Sequence, residues 1–326
     1  MNLSLGQLRK SLWGGLPEEA KSFKQGTTRA AQHLGKIFFT VIRCYHATLE
    51  NSNLEVLVPR LNAVELELRG FAYEGAALGL MQLDCLLPWK KRLQAFLAGP
   101  GAPYVYPTYV GAGVALARLG RKPEPLLTRL DPVLCWLLID GYGWRYGIFS
   151  RHSSIEEKTI PAHLSPYARR VFDQGLGRSI WFSTGANVDH IATTLATFPL
   201  ERQPDLWSGV GFACAYAGGV DRMDIETLWR TASPYRSQLA VGAAIAAKGR
   251  QRAGNLVDHT DLACQVLCGL SSTMAAHMTD VALQNLPTDS VEPAYEVWRQ
   301  RLAAQFAVPA DREIKSETRL VESKEL

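Results

Sequence analysis

The chain has 326 residues, 47% of them hydrophobic, with 35 basic and 31 acidic side chains and a net charge of +4. That is enough apolar material for a large core. The charge is too evenly balanced for a nucleic-acid binder, which carries a concentrated basic face. The longest apolar run, Val133 to Ile139, is far short of a membrane span. The N-terminus MNLSLGQLRKSLWGG lacks the apolar stretch of a signal peptide, so the expected location is cytoplasmic. Six cysteines lie mostly within apolar helical segments, as small core residues of a reducing compartment do.

In chain order, residues 1–27 read as a partly ordered segment, 28–306 as one all-helical domain and 307–326 as a charged, disordered tail. Apolar periodicity predicts helices near 28–49, 66–87, 90–98, 104–119, 131–147, 165–183, 187–197, 204–218, 222–231, 235–252, 257–269, 271–284 and 292–306. Asp131-Pro132 and Ser165-Pro166 place a capping side chain before a proline suited to the first helical turn. Gly185 and Gly218-Gly219 suit helix ends that need a left-handed residue. Lys90-Lys91-Arg92 and Arg169-Arg170 read as solvated helix faces.

Six segments carry Gly-x-(Gly/Ala) inside a helix, beginning at Gly75, Gly111, Gly141, Gly175, Gly209 and Gly242. Their spacings are 36, 30, 34, 34 and 33 residues. Each interior glycine costs a helix about 1 kcal/mol relative to alanine, so a recurring pair implies helices packed closely enough to exclude a side chain. The period is that of tetratricopeptide-like helix pairs, which predicts an α-solenoid at least in the second half.

The register sorts side chains by face. Positions one before, three after and six after the first glycine share a stripe: Glu74/Leu78/Met81, Val110/Val114/Ala117, Asp140/Trp144/Gly147, Gln174/Arg178/Trp181, Ser208/Phe212/Ala215 and Val241/Ile245/Lys248. The mixture of large aromatics with isolated ionisable groups resembles the lining of an apolar groove. Glu74, Asp140 and Arg178 are the candidate catalytic groups, since a carboxyl in such a setting is desolvated unless a cation neutralises it. Trp144, Gln174, Trp181, Trp207, Phe212, Tyr216 and Lys248 are candidate substrate contacts.

Each has a plainer reading. Glu74 and Asp140 could form structural ion pairs, and Asp173 could pair with Arg178 on a helix surface. Trp207 and Tyr216 could pack in a core. Lys248, Arg250 and Arg252 suit a helix C-terminus, and His152 reads as a loop residue. Cys264, Cys268 and His259 lack further ligands at metal-site spacing, so neither metal nor cofactor is expected. The chain holds no Gly-x-Ser-x-Gly elbow, phosphate loop or His-Glu-x-x-His.

The stretches Leu68–Ala77, Phe96–Gly101, Asp140–Gly143, Phe172–Ser179, Asp205–Gly211 and Ala215–Gly219 form a recognisable series. Gln251–Gly254, Cys264–Cys268 and Glu292–Trp298 extend it. Together they resemble the enediyne biosynthesis protein family, a domain of unknown function encoded beside enediyne polyketide synthases. The resemblance covers residues 28–306 and implies a part in maturing a linear polyene into an enediyne core alongside other cassette proteins. It carries no catalytic residues across. Two readings follow: a catalytic or co-catalytic subunit acting on a polyene, or a non-catalytic helical scaffold that binds a pathway protein or shields a reactive intermediate.

Overall fold

The structure is a computed structural model that describes residues 4–15, 27–287 and 290–307. The charged tail beyond residue 307 lies outside the described residues. All regular structure within them is helical.

The α-helices run in chain order as α1 (Leu5–Trp13), α2 (Arg29–Glu50), α3 (Leu54–Asn62), α4 (Leu66–Leu86), α5 (Arg92–Leu97), α6 (Val105–Arg118), α7 (Leu137–Phe149) and α8 (Pro166–Ser183). They continue as α9 (Val188–Ala196), α10 (Gln203–Ala217), α11 (Arg222–Thr231), α12 (Arg236–Arg252), α13 (Asp258–Leu267), α14 (Ser272–Leu283) and α15 (Ala294–Gln305). Polar caps set many of the starts. Thr28, Ser165, Asn187, Asp221 and Ser271 each accept a backbone N–H from the first turn of the following helix. Gly185 and Gly218 end α8 and α10 at φ of +63° and +67°.

Two boundaries differ from the sequence reading. Asp131 does cap, accepting from the N–H groups of Val133 and Leu134, but it caps a turn leading into a 3-10 segment at Leu134–Trp136. The α-helix therefore begins at Leu137 and not at 131. His152 sits in a short π-helical turn, His152–Glu156, and not in a loop. α1 and α3 lie outside the expected helices; α1 carries a full Ser4/Gln7 capping box.

The helices α2, α4, α6, α7, α8, α10, α12 and α14 follow one another as packed neighbours. Their glycines set the spacing. A Cβ built on Gly75, Gly111, Gly141, Gly175, Gly209 or Gly242 would lie within 3.0 Å of a carbonyl oxygen of the preceding helix in this row. Those oxygens belong to Val41, Glu74, Val110, Asp140, Gln174 and Ser208. The second glycines Gly113, Gly143, Gly177 and Gly211 meet the following helix in the same way, at Leu138, Phe172, Leu206 and Leu239. Helices α4, α6, α7, α8 and α10 thus touch both neighbours backbone to backbone, an approach that a side chain at these glycines would block.

The row also curls back on itself. His33 of α2 hydrogen bonds the Ala217 carbonyl of α10 at 2.7 Å, and Arg250 of α12 reaches the Glu67 carbonyl of α4 at 3.2 Å. The C-terminus of α10 is the knot of this closure. Its last carbonyls accept from Thr260, Arg250, His259, His33 and Trp181, so the unpaired oxygens of the final turn are satisfied from five directions.

Candidate functional site

The side chains on the inside of the row follow from the glycine register. The residue before each first glycine gives its carbonyl to the next helix, and this holds Glu74, Val110, Asp140, Gln174 and Ser208 at comparable heights. α4 has almost no polar side to turn to water: all its residues from Gly70 to Leu83 are buried. Glu74 therefore has no route to solvent along its own helix.

Glu74, Asp140 and Arg178 meet in this interior. Asp140 accepts a hydrogen bond from Arg178 Nη1, and all three side chains are at least nine-tenths buried. Glu74 has neither a hydrogen bond nor an ion pair within reach among the described residues. Burial pushes its carboxyl up to about 7; Arg178 draws it down and the Asp140 charge pushes it further up. Burial likewise raises Asp140, against the pull of Arg178 and Arg299. One cation serves two carboxyls here. Direct contact with the guanidinium stabilises the Asp140 carboxylate, whereas Glu74 has no such bond.

Aromatic rings wall this group. The Arg178 guanidinium lies 4.8 Å from the Phe212 ring centre, and Phe212 stacks on Tyr216 at 5.4 Å. Trp144 and Glu74 line one narrow cleft with Phe38, Tyr45, Leu78 and Phe149, with Arg118 and Arg145 also on its wall. Its accessible volume is about 30 Å³, room for a water-sized group. Three buried polar atoms around this interior lack a protein partner: Trp144 Nε1, Arg178 Nε and Tyr216 Oη. Such groups cost about 1–3 kcal/mol each unless something occupies the space beside them.

The other stripe residues go elsewhere. Gln174 donates to Asp205 at 3.3 Å and accepts from Tyr295 at 3.1 Å. Trp181 is fully buried and donates to the Gly218 carbonyl at 3.1 Å, as a cap. Lys248 pairs with Asp280 of α14 at 2.7 Å. Trp207 is buried on α10 beside Ser208. Asp173 is held by Arg202 in a two-toothed pair, and not by Arg178; burial pushes it up to about 6. His152 is exposed and raised by its bond to Glu156. The Cys264 and Cys268 thiols face the carbonyls of Ala243 and Ala240. Among the described residues no group of three or more His, Cys, Asp or Glu side chains could hold a metal ion.

A second buried ionic group escaped the sequence reading. Arg299 pairs with Asp205 at 2.8 Å and with Glu296 at 3.1 Å, while Arg170 reaches the same two carboxylates at 2.9 Å each. Tyr167 donates to Glu296. Glu296 stands inside the Glu292–Trp298 stretch and Asp205 opens the Asp205–Gly211 stretch, the signals for it in the sequence. Arg170 and Arg299 lie 129 residues apart, and no periodicity joins them.

Over residues 5–306 the chain matches the family described as protein of unknown function (DUF1702). The chain belongs to that family. No curated protein and no solved structure matches it. No described helix is long and apolar enough to cross a membrane.

Proposed function

We propose that this protein takes part in enediyne-type natural-product biosynthesis, binding a linear polyene polyketide intermediate against the apolar cleft at Glu74 and exchanging a proton with it. The observation that supports this reading is the state of Glu74: a carboxyl with no hydrogen-bonded partner, raised to about 7, facing a cleft of aromatic and aliphatic walls. A general acid or base works best when its proton affinity lies near the working pH. Burial raises that affinity and the Asp140–Arg178 pair beside it adjusts it, while Trp144 on the cleft wall offers an unpartnered Nε1 donor to a developing charge. In the same reading the helix row is a tetratricopeptide-like α-solenoid of about 34-residue repeats, working in the cytoplasm beside other enediyne-cassette proteins.

The test is reconstitution of an enediyne polyketide synthase with this protein, reading products by mass. Folded Glu74→Gln keeps the shape and removes the titration; product formation should drop at least tenfold. Wild-type output from that folded variant would end the proton-transfer role.

One observation favours a second reading. The cleft at Glu74 has only about 30 Å³ of accessible volume, so a polyene enters only if its walls part. A non-catalytic scaffold that binds a pathway protein or shields an intermediate needs no such opening. Output that survives Glu74→Gln and vanishes when the protein is omitted selects the scaffold.

A further inference from the structure

A large concavity lies away from Glu74, between the C-terminal half of α4, α5, the end of α6 and the chain leading into α7, with about 960 Å³ of accessible volume. Its lining divides by chemistry. Met81, Leu93, Leu97, Leu116, Leu126 and Leu130 provide an apolar floor. Lys90, Lys91, Arg121, Lys122 and Arg129 stand around it, all exposed. None of the five has an ion-pair partner among the described residues.

Two carboxylates share the lining, and both are committed. Asp84 holds the Arg92 guanidinium at 3.0 Å and accepts the N–H groups of Arg92 and Leu93, capping α5. Asp131 accepts the N–H groups of Val133 and Leu134. The cations come from two separate stretches, 90–91 and 121–129, which the fold brings to one trough. Five cations line this trough against one carboxylate, Asp131, that no cation pairs among the described residues, so a net positive charge stands over its floor. An apolar floor beneath an excess of unpaired cations is complementary to one kind of molecule: an anion with an apolar tail.

We propose that this trough is a binding site for a single-chain amphiphile with a phosphate-type head, its tail on the leucine floor and its head among Arg121, Lys122, Arg129 and the two lysines. The site is separate from Glu74 and does not rest on the polyene reading.

The experiment uses the full chain and decyl phosphate below its micelle concentration, followed by calorimetry, with decyl glucoside and inorganic phosphate as partial probes. Decyl phosphate should bind one to one, at least tenfold tighter than either partial probe. Binding should weaken with added salt and tighten roughly fourfold per buried methylene as the tail is lengthened. Lys90→Gln/Arg121→Gln/Arg129→Gln should lose at least tenfold for decyl phosphate with no change in melting temperature. Leu126→Asn should weaken it as well, and Glu74→Gln should leave it unchanged. Equal binding of all three probes, or inorganic phosphate binding as tightly as decyl phosphate, would overturn the site. So would a charge variant that binds normally. Sedimentation with phosphatidylglycerol vesicles without binding of monomeric decyl phosphate would also overturn it, making the trough a membrane contact instead.

Discussion

Two ionic groups sit inside this helix row, built from the same residue types and set to different ends. At Asp205, two carboxylates meet two guanidinium groups, and Gln174, Tyr167 and Tyr295 take up further bonds. At Glu74, two carboxyls share one guanidinium, and three polar atoms nearby have no partner. The first group is balanced in charge, with only Arg299 Nε among its described buried atoms left without a partner, and closes α15 onto α8 and α10. The second has more carboxyls than guanidinium groups and holds unmet donors beside a cleft. Buried charge alone does not distinguish the two groups; the ratio of carboxyls to guanidinium groups does.

The widest separation between the two groups should come from cutting a balanced pair. Arg299→Met strands Asp205 and Glu296 against Arg170 alone and should destabilise by about 3–5 kcal/mol in urea unfolding. A loss under 1 kcal/mol would mean the Asp205 group contributes little, and the contrast would lose one side.

Glu74→Gln should act in the opposite sense, and its effect should depend on pH. The folded protein holds the Glu74 proton up to about 7, whereas the free carboxyl releases it near 4.5. Between these values the folded state binds the extra proton, so stability falls as pH rises through that window. The glutamine variant lacks this loss. It should match the wild type near pH 4 and be more stable by up to about 3 kcal/mol above pH 8. His259 is pushed down to about 3 by burial and Arg250, and so titrates in the opposite sense, but it is common to both proteins and cancels in the difference. A pH-independent difference would show that Glu74 is not the proton carrier.

The glycine contacts support both groups, and Gly209→Ala probes them between the two. Its Cβ would be driven into the Gln174 carbonyl. A loss of about 1–3 kcal/mol or more is expected, and an unchanged denaturation midpoint would contradict the close approach of α8 and α10. The smallest effects are the finest comparison. Tyr295→Phe removes a hydroxyl that donates to Gln174 at 3.1 Å and should cost about 1–2 kcal/mol. Tyr216→Phe removes an unpartnered hydroxyl and should be neutral within about 0.5 kcal/mol or stabilising. Equal losses would show that the Tyr216 hydroxyl is satisfied after all, by something the protein holds there.

The sequence by itself determined the helical class, most helix boundaries and the places where helices must touch. These rest on local matters: apolar period, capping side chains, and glycines that a helix tolerates only where something presses against it. The same register brought Glu74, Asp140, Trp144, Arg178 and Phe212 to one stripe, and they do adjoin. Tertiary structure alone decided the partners. Trp181 became a cap for Gly218, Gln174 joined Asp205, Lys248 turned to Asp280, and Asp173 went to Arg202. Helical period fixes the direction of a side chain about its axis, but not which distant residue stands opposite. That depends on how the row curls until α2 and α4 meet α10 and α12, and on α15 returning Arg299 to Asp205, 94 positions earlier. The basic trough shows the same limit. Lys90-Lys91 reads as an ordinary wet helix face until the fold sets Arg121, Lys122 and Arg129 across from it over a floor of leucines.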